Sequence, residues 1–206
     1  MVKVKICGIT NYEDAANAAI LGADFIGFNF YSLSPRFIDR DDAKRIINKM
    51  PKNLKNVGVF VNEVLEEVKK IVEYVGLDMV QLHGDETPDY CKQIKEETKK
   101  EVIKSFRINK KEDIKKIKNY DVDYYLFDAY HEGLFGGTGK SFDWNLLKNI
   151  KKPFFLSGGL NCGNVRQAIK IARPFAVDVA SGIEKNQRKK DIEKTKEFIE
   201  AAKWDL

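Results

Sequence analysis

The stretch VKVKICGITN, residues 2–11, opens the chain and decides how the rest is interpreted. A β-branched run ends in Cys7, turns on Gly8 and enters a predicted helix, with Thr10 and Glu13 at the spacing of a capping box. In barrels built from such strand and helix units, the chemistry lies at the C-terminal ends of the strands. Cys7 stands at that end. It is therefore either a small buried hydrophobic residue or a group that faces the barrel mouth, and the glycine turn favours the second interpretation.

The same strand and helix unit is repeated along the chain. Several of the later strands are continuous apolar runs, which indicates that helices cover the sheet and that the strands are parallel. Seven further strands are predicted at residues 24–30, 57–61, 79–83, 102–106, 124–128, 154–157 and 176–179. Helices are predicted near residues 12, 41–50, 65–75, 88 onward, 111–119, 144 onward and 190–203.

This alternation predicts an α/β fold, a single-domain (β/α)8 TIM barrel with a parallel eight-stranded sheet over residues 1–206. The alternative is a doubly wound open sheet. That fold usually has five or six strands and a glycine fingerprint after the first strand, and the fingerprint is absent here.

The composition argues against nucleic acids and membranes as binding partners. The net charge is +5, with 36 basic residues interspersed among 31 acidic ones, which does not suggest nucleic-acid binding. No run approaches the roughly 18 apolar residues of a membrane span, and no signal segment is recognisable, so we expect a cytoplasmic protein that binds no membrane. Cys7, Cys91 and Cys162 are too widely separated to suggest a disulfide or a zinc site. A small phosphorylated substrate and a monomer or homodimer are expected.

Glycine turns follow the last two predicted strands. They are Ser157-Gly158-Gly159 after the seventh strand and Ser181-Gly182 after the eighth. In many barrels these two positions bind phosphate, because exposed backbone N–H groups hold an oxyanion. Either turn alone would be a weak signal, but the matched pair predicts a phosphate site.

Two residues are candidates for proton transfer. Asp128 ends an apolar strand, and partial desolvation of its carboxyl suits a general acid, although a helix cap or ion pair is the simpler alternative. Cys7 is the candidate base, and we expect the dipole of the following helix to lower its pKa.

Three other side chains could line or flank the pocket. Arg36 could grip a carboxylate in bidentate fashion, although a loop arginine is often simply solvated. His83 ends the fourth strand and is expected to line the pocket, whereas His131 is expected to be an exposed loop residue.

A family resemblance covers the chain from end to end. The blocks that carry it, in order, are KICGIT (5–10), SPR (34–36), VGVF (57–60), VQLHG (80–84), FD (127–128), GGTGKSFDW (136–144), SGGL (157–160) and DVASGIE (178–184). Together they resemble the signature blocks of phosphoribosylanthranilate isomerase. The resemblance implies that Cys7 is the general base, Asp128 the general acid and Arg36 a ligand of the anthranilate moiety. It also implies that the two glycine turns hold the substrate phosphate.

The implied reaction is an Amadori rearrangement in tryptophan biosynthesis. An acid protonates the ribose ring oxygen to open the ring, and a base removes the C2' proton of the resulting imine. No metal, nucleotide or redox cofactor is implied. This sequence departs from the family pattern at Ala180, where a second serine is common, and in the segment 129–135.

Two rival functions are compatible with such a barrel. One is the related phosphoribosyl aminoaldose isomerase of histidine biosynthesis, which uses aspartates as both acid and base, and Cys7 argues against it. The other is a barrel that binds phosphate without catalysis, against which the presence of both Cys7 and Asp128 argues. The sequence therefore favours the anthranilate-pathway isomerase.

Overall fold

The eight predicted strands form a closed parallel barrel in the order β1 to β8. A computed structural model of the chain describes residues 1–108, 110–129 and 142–204. Each strand pairs with its sequence neighbours, and β8 closes the ring on β1. The predicted (β/α)8 barrel is confirmed. The strands are β1 (Lys3–Cys7), β2 (Phe25–Asn29), β3 (Lys55–Phe60), β4 (Met79–Leu82), β5 (Glu101–Ile108), β6 (Tyr124–Ala129), β7 (Phe154–Leu156) and β8 (Ala176–Val179).

Helices cover the outside of this barrel. Two of the predicted helices, Lys111–Asn119 and Trp144–Leu147, are 3-10 helices rather than α-helices, and a third 3-10 turn, Ser181–Ile183, follows β8. No helix in the described ranges is both long and apolar enough to cross a bilayer. The α-helices are α1 (Tyr12–Ile20), α2 (Arg40–Ile47), α3 (Leu65–Val75), α4 (Pro88–Thr98), α5 (Val165–Ala172) and α6 (Ile192–Lys203).

The start of α1 differs from the prediction. The N-cap is Asn11, whose side chain accepts a hydrogen bond from the Asp14 backbone N–H. Thr10, predicted to form a capping box with Glu13, instead donates its hydroxyl to the Arg188 carbonyl oxygen at 2.9 Å. An asparagine at the N-cap satisfies a free N–H group as well as threonine does, so spacing alone did not distinguish the two residues.

The barrel interior has an apolar lower part. One residue from each of seven strands packs there, separately from the larger core between sheet and helices. Because side chains alternate between the two faces of a strand, the next inward-facing position on each strand lies closer to the mouth. The residues of the apolar part are Phe25, Val57, Met79, Ile103, Leu126, Phe155 and Ala176.

The upper part of the interior is polar. On β1 the inward side carries Lys5 and then Cys7, while Val4 and Ile6 are fully buried toward the helices. On β8 the corresponding inward residue above the apolar part is Asp178, which is buried. The charged side chains of Lys5 and Asp178 and the Cys7 thiol therefore lie between the apolar part of the barrel interior and its mouth.

An antiparallel hairpin follows β8 and returns to the start of α1. It consists of β9 (Glu184–Asn186) and β10 (Lys189–Lys190). The Lys190 backbone N–H donates to an Asp14 carboxylate oxygen at 2.9 Å. This hairpin was not predicted, and it brings the side chains of Glu184 and Lys190 to the barrel mouth beside β1.

Candidate active site

The predicted site residues that the structure describes lie at one end of the barrel, at or just beyond the C-terminal ends of the strands. Cys7 ends β1, Asp128 is the penultimate residue of β6, and His83 follows β4. Arg36 lies in the loop after β2, and its side chain runs over Gly8, so close that a Cβ on that glycine would lie 2.5 Å from the arginine Cδ. His131 and residues 136–141 of the family block lie outside the described residues.

Cys7 is partly exposed at the mouth yet is closely surrounded by protein atoms. Burial raises the pKa of its thiol, and the neighbouring Asp178 carboxylate raises it further, against the opposing effect of the Lys5 and Lys190 ammonium groups. The expectation that this pKa is lowered was wrong, because burial outweighs the effect of the two ammonium groups.

Asp128 is buried and makes contacts on both carboxylate oxygens. Its Oδ1 accepts a hydrogen bond from the Ala129 N–H at 2.8 Å, and its Oδ2 lies 3.4 Å from His83 Nε2. The other ring nitrogen of His83 is 2.8 Å from Gln81 Nε2 and 2.9 Å from Ser105 Oγ. These two neighbours hold the imidazole so that Nε2 faces Asp128. His83 is therefore a neighbour of the candidate acid.

Arg36 makes a bidentate pair with Glu184. Its Nε and Nη2 each donate to one oxygen of that carboxylate at 2.7 Å, and Glu184 also contacts Lys190 Nζ at 3.2 Å. Burial alone would raise the pKa of Glu184, but the two cations outweigh it and lower that pKa. This pair uses the edge of the guanidinium formed by Nε and Nη2. The edge formed by Nη1 and Nη2 is the one that could bind a substrate carboxylate.

The two glycine turns line a shared cleft. Gly158 and Gly159 have positive φ angles of 87° and 67°, which glycine adopts without strain. A Cβ on Gly158 would lie 2.6 Å from the Ala129 nitrogen, and one on Gly182 would lie 1.9 Å from the Leu160 oxygen. The cleft has about 280 Å³ of empty volume and is lined by Asp128, Ser157, Gly158, Gly159, Leu160, Asp178, Val179, Ala180, Ser181 and Gly182.

The cleft therefore combines a candidate acid with backbone turns suited to an anion. The 3-10 turn Ser181–Ile183 begins at its edge, as in barrels that bind phosphate after strands seven and eight. Among the described residues, no cluster of three His, Cys, Asp or Glu side chains is placed to hold a metal ion.

Comparison with known proteins decides the family. The sequence model described as N-(5'-phosphoribosyl)anthranilate (PRA) isomerase matches residues 4–201. The chain belongs to the PRA isomerase family. Its reaction is the one the family carries out in tryptophan biosynthesis, which confirms the interpretation of the signature blocks.

Individual PRA isomerases match over their whole length. The chain is 46% identical to N-(5'-phosphoribosyl)anthranilate isomerase of Trichlorobacter lovleyi, with 100% of each chain covered. Monomers generated from the dimeric enzyme of Thermotoga maritima superpose with a TM-score of 0.89 at 43% identity, covering 98% of this chain and 99% of theirs. A PRA isomerase in complex with reduced 1-(o-carboxyphenylamino)-1-deoxyribulose 5-phosphate also superposes with a TM-score of 0.89 at 43% identity. The match covers 98% of this chain and 99% of that one.

Four charged residues at the mouth were not predicted. Lys5 and Asp178 could have been found from the alternation of side chains, because each lies in a strand and a period of two places Lys5 on the same side as Cys7. Glu184 and Lys190 carry no such signal, since the hairpin that positions them has no strong turn motif.

Proposed function

We propose that Cys7 is the general base and Asp128 the general acid of PRA isomerisation in this chain. Supporting this assignment, the thiol and the carboxyl lie at the same mouth, at the ends of β1 and β6, and Asp128 lines the cleft formed by the two glycine turns. Asp128 protonates the ribose ring oxygen and opens the ring. Cys7, as the thiolate, then removes the C2' proton of the imine, and the enolamine tautomerises to the ketose.

The substrate phosphate would lie in the turns after β7 and β8. Gly158, Gly159, Ser181 and Gly182 line the cleft. Backbone N–H groups in turns of this kind can bind an oxyanion without a lysine. Asp128 lines the same cleft, so a phosphate held there would place the ribose near the acid. His83 would act on the substrate through its contact with Asp128.

Arg36 would bind the anthranilate carboxylate through its Nη1 and Nη2 edge. Its other edge is held by Glu184, and a guanidinium fixed on one side loses less side-chain freedom when it binds a second carboxylate. The loop that carries Arg36 packs on Gly8, the residue after Cys7. The aromatic end of the substrate would then lie beside the base.

Replacement of Arg36 by methionine tests this orientation. We expect KM for N-(5'-phosphoribosyl)anthranilate to rise about tenfold to a hundredfold, since a charge-assisted hydrogen bond is worth about 1.5–3 kcal/mol. The value of kcat should change less, because the carboxylate carries the same charge in ground and transition states. Arg36→Lys keeps the positive charge but lacks the planar guanidinium. Its KM should therefore lie between those of the wild type and Arg36→Met. An Arg36→Met enzyme with wild-type KM would place the carboxylate elsewhere.

A homodimer of this chain is the second part of the proposal. The Thermotoga maritima relative is described as dimeric. In this chain, three large apolar side chains, Tyr12, Leu33 and Val64, are exposed in segments that follow the C-terminal ends of strands. We expect the dimer interface to cover them, since contiguous apolar surface marks interaction sites. Light scattering should give twice the chain mass of 23.6 kDa, and a value equal to one chain would contradict the dimer.

We further propose a cytoplasmic location. All three cysteines are unpaired, and free thiols are typical of a reducing compartment.

A further inference from the structure

A buried ion pair lies directly beneath the candidate base. Lys5 Nζ is 3.0 Å from Asp178 Oδ1, and both side chains are almost completely buried inside the barrel. Removing two charges from water is costly, and a buried pair is often no better for stability than apolar residues of the same size. A pair at this position therefore calls for an explanation other than stability.

The ammonium of Lys5 also lies near Cys7. The two residues are two positions apart on β1, so both side chains point into the barrel. Gly27 on β2 makes room for both of them, since a Cβ there would lie 2.8 Å from Cys7 Sγ and 3.2 Å from Lys5 Nζ. Any larger residue at Gly27 would displace the thiol or the ammonium.

Four charged groups act on Cys7 from the elements packed around it. Lys5 is on the same strand, Asp178 is on β8, Lys190 is on β10 and Arg36 is in the loop after β2. Lys190 and Arg36 both pair with Glu184, whose single carboxylate neutralises one of their two positive charges. Burial disfavours the Cys7 thiolate, and Lys5 opposes this effect more than any other charged group. Asp178 partly cancels the effect of Lys5.

We propose that Lys5 is a positioning residue that stabilises the Cys7 thiolate within the barrel, with Asp178 as the counter-charge that limits this stabilisation. The proposal rests on the assignment of Cys7 as the base. Lys5 acts on the reaction only through Cys7. It acts by keeping one ammonium close to the sulfur, where an opposite charge favours the ionised form. Asp178 holds Lys5 in place and prevents an isolated buried cation.

The rate at which iodoacetamide alkylates Cys7, measured against pH, tests the proposal. A Cys162→Ser background removes the other partly exposed thiol, and the remaining Cys91 is buried with its pKa raised to about 12. Peptide mass mapping assigns the modified residue, and Cys7→Ser in the same background should show no reaction at this site.

Three variants should give an ordered series at pH 7. Lys5→Met should react about tenfold or more slowly than the background protein, because an opposite charge next to the thiolate is lost. Asp178→Asn should react faster, because a like charge is lost. The double variant Lys5→Met/Asp178→Asn should lie between Lys5→Met and the background protein, since the lysine has the larger effect. The pH midpoint of alkylation should move upward in Lys5→Met and downward in Asp178→Asn.

Opposite shifts of this kind do not result from loosened packing, which would expose the thiol in every variant. The double variant leaves no unpaired buried charge, so it decides the question if Lys5→Met does not fold. Equal alkylation profiles in the folded variants and the background protein would overturn the proposal. Because alkylation reports ionisation and not turnover, it still tests the link between Lys5 and Cys7 if Cys7 proves not to be the base.

Discussion

Replacing Cys7 by serine is expected to lower kcat by about a hundredfold or more, the range that general base catalysis contributes. Serine keeps the shape of the side chain, but its hydroxyl supplies almost no anion near neutral pH. The thiol itself ionises reluctantly here because burial raises its pKa. A hydroxyl in the same surroundings would ionise far less still. Steady-state kinetics with N-(5'-phosphoribosyl)anthranilate measure the loss.

Cys162→Ser is the matched control for this variant. It makes the same atom change at a partly exposed cysteine that does not line the cleft and whose sulfur contacts the Lys194 carbonyl oxygen on α6. Its kcat should equal that of the wild type. Circular dichroism and thermal unfolding should show both proteins folded. A folded Cys7→Ser enzyme with wild-type kcat would remove Cys7 from the mechanism.

Replacing Asp128 by asparagine is expected to lower kcat by about a hundredfold to ten-thousandfold, because ring opening loses its proton donor. Asparagine keeps an oxygen that can accept the Ala129 N–H, so the end of β6 should be preserved. The pH profile gives a second signature. In the wild type, kcat/KM should pass through a maximum, since the base must be deprotonated and the acid protonated.

In Asp128→Asn only the base still titrates. The thiolate fraction of Cys7 increases with pH, and burial moves that increase into the alkaline range by raising its pKa. The residual kcat/KM should therefore rise with pH to a plateau and show no alkaline fall. A residual activity that keeps the wild-type alkaline fall would mean that another group is the acid, and His83, 3.4 Å from Asp128, would be the first to examine.

The barrel was predictable because the continuous apolar runs of its strands and their alternation with helices depend on local sequence. Such runs mark buried parallel strands, and the pairings follow once eight of them are counted. The first cap was mispredicted because Thr10 and Asn11 are adjacent and both can cap a helix. Residues 111–119 and 144–147 have helical sequence signals that do not separate a 3-10 helix from an α-helix.

The candidate site was predictable where the residues stand at strand ends. Cys7, Asp128 and the two glycine turns were found in this way, because parallel strands bring their C-terminal ends to one mouth. The raised pKa of Cys7 was not predictable, since it depends on burial and on charges from β8 and β10 that are distant in sequence. The pairing of Arg36 with Glu184, which are 148 residues apart, was hidden for the same reason.

The central claim is that this chain isomerises N-(5'-phosphoribosyl)anthranilate with Cys7 and Asp128 as its proton-transfer groups. The most direct test follows the fluorescence of this substrate, which is lost when the ribose is rearranged. The wild-type protein should abolish the fluorescence with first-order kinetics at low substrate concentration. A folded Cys7→Ser/Asp128→Asn protein should leave it at the rate of the uncatalysed control. Stable fluorescence with the wild type, or rapid loss with the double variant, would contradict the claim.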